Sequence, residues 1–201
     1  MSQKRTYQLK RRAERQDETR RRITEATAAL HQEIGPAATT ISAIAERAGV
    51  ERLTVYRHFP DESELFRACQ QHFLAAHPYP DISAWTTITD PVERLGYALT
   101  AFYARYRETE AMTANILRDA PGIPALAALI KDIPAYYLAA CESLAAAVAV
   151  SPERCPLLRV GIGHALDFET WRPLACCQGL TNEQAVEMMV RFVARLAESH
   201  D

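Results

Sequence analysis

Residues 51–59 read ERLTVYRHF, a stretch in which two guanidinium groups (Arg52, Arg57), an imidazole (His58), a phenol (Tyr56) and a hydroxyl (Thr54) surround the apolar Leu53 and Val55. Groups of these types meet phosphate oxygens and base edges. Arg reads guanine bidentately, hydroxyl and imidazole donate to phosphate, and an aliphatic side chain covers a thymine methyl. On a helix Val50, Val55 and Phe59 act as inward anchors, which leaves Arg52, Leu53, Thr54, Tyr56 and Arg57 on or beside the other face. A solvated face has little use for Leu53 beside Tyr56, and a DNA groove would cover both.

Other residues offer other chemistry. Trp85, Phe102, Tyr103, Tyr106, Met112, Ile116, Tyr137, Phe168 and Trp171 can line an apolar pocket for a small molecule, or serve as plain core. His164 and Asp167 stand three apart and can share a helix face, binding a polar ligand group or a metal, or forming a satisfied buried pair or an exposed one. Cys69, His72 and His77 have loosely metal-like spacing without a fourth partner. The adjacent Cys176 and Cys177 invite a thiophilic or redox reading, but neighbours on a helix point about 100° apart and cannot join without local unwinding. No Gly-rich phosphate loop, G-x-S-x-G, H-E-x-x-H or C-x-x-C motif occurs, so an enzyme is not expected, nor a metal or cofactor.

The elements that must position these groups are helices. Apolar residues Ile23, Ala26, Leu30 and Ile34 give a first helix over 17–34, stopped by Gly35-Pro36. Thr40 caps a second helix carrying Ile41, Ile44, Ala45 and Ala48, with Gly49 where a left-handed residue is wanted. A third runs from Glu51 to His58 and stops at Pro60; Asp61 caps a fourth through Leu65, Phe66, Cys69 and Phe73. This is the outline of a helix-turn-helix unit. Residues 77–90 read as a loop or junction. Helices are then expected over 91–108, 111–118, 123–149 with a break near Asp132 caused by Pro134, 157–177 and 182–198, the last capped by Thr181. No strand-like alternation is present, so the fold is expected to be all-α.

The segment TTISAIAERAGVERLTVYRHFPDESELFRA, residues 39–68, resembles the DNA-binding signature of the TetR family of bacterial transcription regulators: Thr before helix two, Ile-Ala within it, Ala-Gly-Val at the turn, Tyr-x-x-Phe, and a Leu six residues later. The resemblance implies a basic N-terminal arm (1–16), a helix-turn-helix DNA-binding domain (17–76) and a larger helical effector-binding and dimerisation domain (77–201). It implies that Thr40 and Tyr56 contact phosphates, that Arg52, Leu53 and Thr54 approach bases with Arg57 beside them, and that His58 reaches the backbone. The expected partners are a double-stranded, near-palindromic DNA operator, a small-molecule effector that releases it, and a second copy of the chain. Two positions depart from the family pattern: Glu51 stands where a Ser commonly opens the recognition helix, and Glu62 where a Lys commonly follows the Phe.

Charge separates the chain in the same sense. Residues 1–60 carry 12 Lys/Arg against 7 Asp/Glu, and residues 61–201 carry 11 against 18. Nine basic residues fall within the first 22, so Lys10, Arg11 and Arg12 are expected to make up at the DNA backbone for the two acids. No apolar run is long enough to span a bilayer and no signal segment follows the N-terminus, which points to a cytoplasmic protein without membrane contact. Leu158, Ile162, Ala165 and Leu166, with Val186, Met189, Val190, Val193 and Leu196, can pair the last two helices across a two-fold axis or fill a monomer core. A small helical enzyme and a non-specific polyanion-binding protein are the alternatives to a regulator.

Overall fold

The computed structural model describes residues 2–198, with side chains described from Tyr7 onward apart from Leu9; Met1, the first residue of the basic arm, and residues 199–201 lie outside the described residues. Within them eleven α-helices follow in order: α1 (Ser2–Glu33), α2 (Ile41–Ala48), α3 (Arg52–His58), α4 (Glu62–Ala76), α5 (Ser83–Thr86), α6 (Pro91–Asp119), α7 (Pro124–Ile130), α8 (Ile133–Ala145), α9 (Cys155–Leu166), α10 (Phe168–Arg172) and α11 (Asn182–Ala197). No strand occurs among the described residues, as expected for an all-α chain. The helices group into two compact units, one of residues 1–78 with 111–130, the other of 79–110 with 131–201.

In the first unit α1, α2, α3 and α4 enclose Ile23, Ala26, Leu30, Ile44, Ala45, Ala48, Val55, Phe59 and Leu65, with Val50 packed at the edge. The predicted caps are in place. Thr40 Oγ1 accepts from the Ala43 N–H at 3.1 Å, and Asp61 Oδ1 accepts from the Glu64 N–H at 2.8 Å. Gly49 takes φ 63°, the left-handed conformation that only glycine adopts without strain, and so turns the chain from α2 into α3. The first helix starts earlier than the apolar pattern indicates, at Ser2 rather than Asp17, because residues 2–16 contain no Gly or Pro and are rich in Lys, Arg, Gln and Glu.

Residues 111–130, which the sequence groups with the C-terminal region, complete this unit. Nothing breaks the helix near Glu110, so the two helices expected over 91–108 and 111–118 are one, α6. Its last turns hold the C-terminus of α1: Asn115 Nδ2 donates to the carbonyls of His31 and Gln32 at 2.9 Å each, and Arg118 donates to that of Ile34. Asp119, itself buried, accepts the Ala37 N–H at 2.9 Å. Met112 packs against Ala28 and Cys69, and Phe66 packs against Ala120 and Leu126 of the turn and helix that follow.

The second unit is organised by aromatic residues. The expected loop at 77–90 contains α5, whose Trp85 is fully buried and donates to Ser143 Oγ at 3.0 Å. Pro134 sits in the first turn of α8, so the break falls at residues 131–132 as its missing N–H requires. The single helix expected over 157–177 is divided: Asp167 turns extended and caps α10 by accepting the Glu169 N–H at 2.7 Å, and Pro173 opens a π-turn that ends at Cys177. Thr181 and Gln184 form a capping box at the start of α11.

One buried titratable group sets a pH limit on the first unit. His31 is only 3% exposed, with Nδ1 3.6 Å from Cys69 Sγ, and burial holds its imidazole down to about 4 although Asp119 opposes the shift. The unfolded chain therefore takes up this proton near pH 6.5 while the folded chain resists it. Stability from this residue is present above pH 6.5 and falls as pH drops from 6.5 to about 4, by about 3 kcal/mol in full. In urea titrations across pH 4–7, His31→Leu is expected to abolish most of that slope.

Candidate nucleic-acid interface

The candidate recognition element, α3, has seven residues, too few to persist alone in water. Its inner face supplies the missing stability: Val55 is 0% and Phe59 3% exposed, and full burial of such side chains contributes about 1.5–3 kcal/mol each. Two guanidinium groups of α1 hold the C-terminal ends of α3 and α2. Arg20 Nη1 donates to the His58 carbonyl at 2.5 Å and its guanidinium lies 4.1 Å above the centre of the Phe59 ring. Arg22 Nη2 donates to the Ala48 carbonyl and, at 3.3 Å, to that of Gly49. Each arginine meets carbonyls that a helix end leaves unsatisfied and places positive charge at the negative end of a helix dipole.

What α3 presents outward is therefore fixed. Leu53 is 76% and Tyr56 47% exposed, Arg52 and Arg57 are exposed beside them, and Thr54 and His58 are half-buried at the margin. Thr40, exposed at the start of α2, keeps its hydroxyl oxygen on the Ala43 N–H and has its own proton free to donate. The His58 imidazole is held below its ordinary value, first by burial and then by the charges of Arg57 and Arg20. Lys10, Arg11 and Arg12 are exposed on α1, with the Arg11 guanidinium 5.8 Å from the centre of the Tyr7 ring.

Not all the basic charge of the first 22 residues is left unengaged. Arg20 and Arg22 hold helix ends, and Arg21 is paired with Glu18 at 2.7 Å and Glu25 at 2.6 Å. The triplet Arg20-Arg21-Arg22 directly before the first core residue, Ile23, was the available signal, but sequence spacing does not reveal which carbonyls lie within reach. Of the two acids, Glu62 lies in the first turn of α4 after the Asp61 cap, where negative charge is favoured. Glu51 occupies the N-cap of α3, exposed, and its side chain makes no capping bond.

The candidate effector residues divide. Trp85, Phe102, Tyr103, Tyr106, Tyr137, Phe168 and Trp171 come together in the second unit, joined by Tyr79 and Tyr136, which carry several of its ring contacts. Their polar atoms are satisfied internally. Tyr103 donates to the Ala165 carbonyl at 2.8 Å; Tyr106 donates to that of Leu166 and lies 2.9 Å from the Tyr137 hydroxyl. Trp171 Nε1 donates to Asn182 Oδ1 at 3.1 Å. Burial pushes the phenols of Tyr103 and Tyr106 far up and that of Tyr137 up to about 12, so all three stay protonated donors.

Met112 and Ile116 belong to the first unit instead, where they pack near Cys69. His164 is exposed, 3.1 Å from Thr170 Oγ1, and the Asp167 side chain is used as the α10 cap. A separate open recess of about 400 Å³ is lined by Arg107, Ala175, Gly179, Leu180, Thr181, Asn182 and Glu183. Among the described residues no three His, Cys, Asp or Glu side chains gather to hold a metal ion, and no helix is long and apolar enough to cross a membrane.

Residues 23–69 match the family model described as bacterial regulatory proteins, tetR family, a span that begins at the first core residue of α1 and includes all of α2 and α3. Among solved structures, a TetR-like transcriptional regulator from Rhodococcus sp. RHA1 is similar with a TM-score of 0.63 at 16% identity, over 88% of this chain and 94% of that one. A TetR transcription regulator from Haloarcula marismortui gives 0.57 at 18% identity, over 90% and 96%. A protein from Saccharomonospora viridis solved in complex with choline gives 0.60 at 17%, over 89% and 96%. At these identities the likeness is one of fold. No curated protein matches the sequence.

The two classes of arginine separate by experiment. Arg22→Ala, which frees carbonyls at the end of α2, is expected to lower the unfolding free energy by about 1–2 kcal/mol, and Arg20→Ala by a similar amount. Arg52→Ala, which removes an exposed side chain, is expected to stay within about 0.5 kcal/mol of the parent in the same denaturant titration.

Proposed function

We propose that this chain, which carries a tetR-family DNA-binding segment on the fold of the TetR-type regulators, is a ligand-responsive transcriptional regulator that binds a near-palindromic operator as a dimer and is released by a small-molecule effector. The observation that carries the reading is the two-sided character of α3: Val55 and Phe59 are locked inward while Leu53 and Tyr56 stand exposed between Arg52 and Arg57. In a major groove Arg52 reads a guanine, Leu53 covers a thymine methyl and Thr54 meets a neighbouring edge, while Tyr56, Thr40 and His58 donate to phosphates and fix the register.

Dimerisation through α9 and α11 would place two copies of α3 about 34–36 Å apart, one helical turn of DNA. The residues that support it are not those the periodicity singles out. Leu158, Ile162, Ala165, Leu166, Met189 and Val193 are buried within the chain, whereas Leu157, Val160, Met188 and Phe192 are exposed on the outer faces of the same two helices. His164 lies against Phe192 with ring centres 6.1 Å apart, so those outer faces adjoin. An apolar surface built this way suits an isologous two-fold contact.

The effector reading rests on the aromatic cluster of the second unit. Rings of Tyr79, Phe102, Tyr106, Tyr136 and Tyr137 offer π faces that suit an apolar or cationic molecule, and Arg105 already lies 4.1 Å above the Tyr79 ring centre. The choline-bound relative in fold is consistent with such chemistry. An effector admitted there acts only through its different affinity for the DNA-competent and DNA-incompetent states.

Selection from a random DNA pool at physiological salt is expected to return a two-fold related sequence. Arg52→Ala should weaken binding to it by about 5- to 100-fold while leaving affinity for random DNA little changed, whereas Tyr56→Ala, which removes a phosphate contact, should weaken both kinds of binding alike. Equal loss on both for Arg52→Ala would favour a non-specific polyanion binder. Replacing Lys10, Arg11 and Arg12 by Ala is expected to weaken both kinds of binding and to flatten the salt dependence by about one unit of slope for each phosphate no longer neutralised; unchanged salt titrations would remove the arm from the interface.

A further inference from the structure

Glu51 is the acid that the DNA-binding reading leaves unexplained. It stands at the N-cap of α3, exposed, one residue before Arg52. Its carbonyl accepts from the Thr54 N–H at 2.9 Å and from the Val55 N–H at 3.3 Å. Its carboxylate makes no described bond. The N-caps of α2, α4, α10 and α11 accept a backbone N–H through Thr40, Asp61, Asp167 and Thr181, whereas Glu51 makes no such bond and enters no described ion pair. The nearby arginines of α1 are committed elsewhere, Arg20 to His58 and Arg22 to Ala48 and Gly49.

A long carboxylate without a partner is a poor choice for a position facing phosphate, where it costs affinity at every sequence. The groove floor differs. The N-terminal residues of a recognition helix are those that approach base edges, and the best complement there for a carboxylate is the N4 amino group of cytosine, which donates a hydrogen bond; adenine N6 also donates but lies beside the acceptor N7, and the acceptors O6 and O4 of guanine and thymine repel it. We infer that Glu51 is a specificity-determining residue that accepts from the N4 amino group of a cytosine in the operator, within about two base pairs of the guanine read by Arg52. Beside Arg52 the pair forms a donor and an acceptor set side by side. Together they demand guanine and cytosine where either alone tolerates more. The phosphate repulsion then acts as discrimination, because only the cytosine-bearing site compensates it.

The inference rests on α3 being the recognition helix and is tested in a form that separates the two. Full-length parent, Glu51→Ala and Glu51→Gln proteins are each put through selection on the same random DNA pool, and affinities for the parent's best site and its single-base variants are measured at one salt concentration. The parent is expected to prefer cytosine at one position per half-site by about five- to a hundred-fold. Glu51→Ala should lose that preference and keep the others, and Glu51→Gln should move it towards adenine, whose N6 and N7 match an amide. If Glu51→Ala instead tightens binding equally at every sequence, or leaves the selected motif unchanged, the inference is overturned although α3 still reads DNA. If the parent selects no motif at all, the regulator reading fails with it.

Discussion

The grip of Arg20 and Arg22 on the carbonyl ends of α3 and α2 is the contact on which the outward surface of α3 depends. Helices of seven and eight residues do not hold their own ends, and the Gly49 turn between them gives the chain freedom rather than rigidity. Burying Val55 and Phe59 sets which face of α3 is inward. The two guanidinium groups fix how far the helices project from α1, since each bonds to a carbonyl at a helix terminus rather than to a side chain that could rotate away. Positive charge that composition alone would assign to a polyanion is here part of the scaffold.

Much of this unit was legible in the sequence because its signals are local. Thr40, Gly49 and Asp61 each act within three residues of their own position, and the i, i+3, i+4 spacing of Ile41, Ile44, Ala45 and Ala48 needs no distant partner. What could not be read depends on distance along the chain. That Arg20 meets His58, that Asn115 meets His31, or that Met112 packs on Ala28 follows from where helices cross, and spacing is silent about crossings. The same limit left the use of α9 and α11 open: their periodicity identifies two apolar sets, but only packing tells that Leu158 and Met189 are core while Leu157 and Met188 remain outside.

In the second unit sequence reasoning found the right residue types without distinguishing a pocket from a core. Aromatic side chains with polar tips serve either purpose. Here the phenols of Tyr103 and Tyr106 lie on the last carbonyls of α9, groups that a helix end leaves unpaired, and this use is invisible until α6 and α9 are set side by side. The division of α9 from α10 had a signal of its own, Asp167 competing for an N–H two residues on, but its spacing also fits an uninterrupted helix.

The first unit is not one continuous piece of chain. His31, Gln32 and Ile34 have their carbonyls, and Ala37 its N–H, met by Asn115, Arg118 and Asp119, which come from a separate stretch some eighty residues away in sequence. Anyone grafting this unit onto another chain would naturally cut once, after the fourth helix. Such a graft would carry α1 to α4 without the strut that closes the end of α1. A transplant that respects the physical module needs two segments, whatever the linear order of the helices suggests.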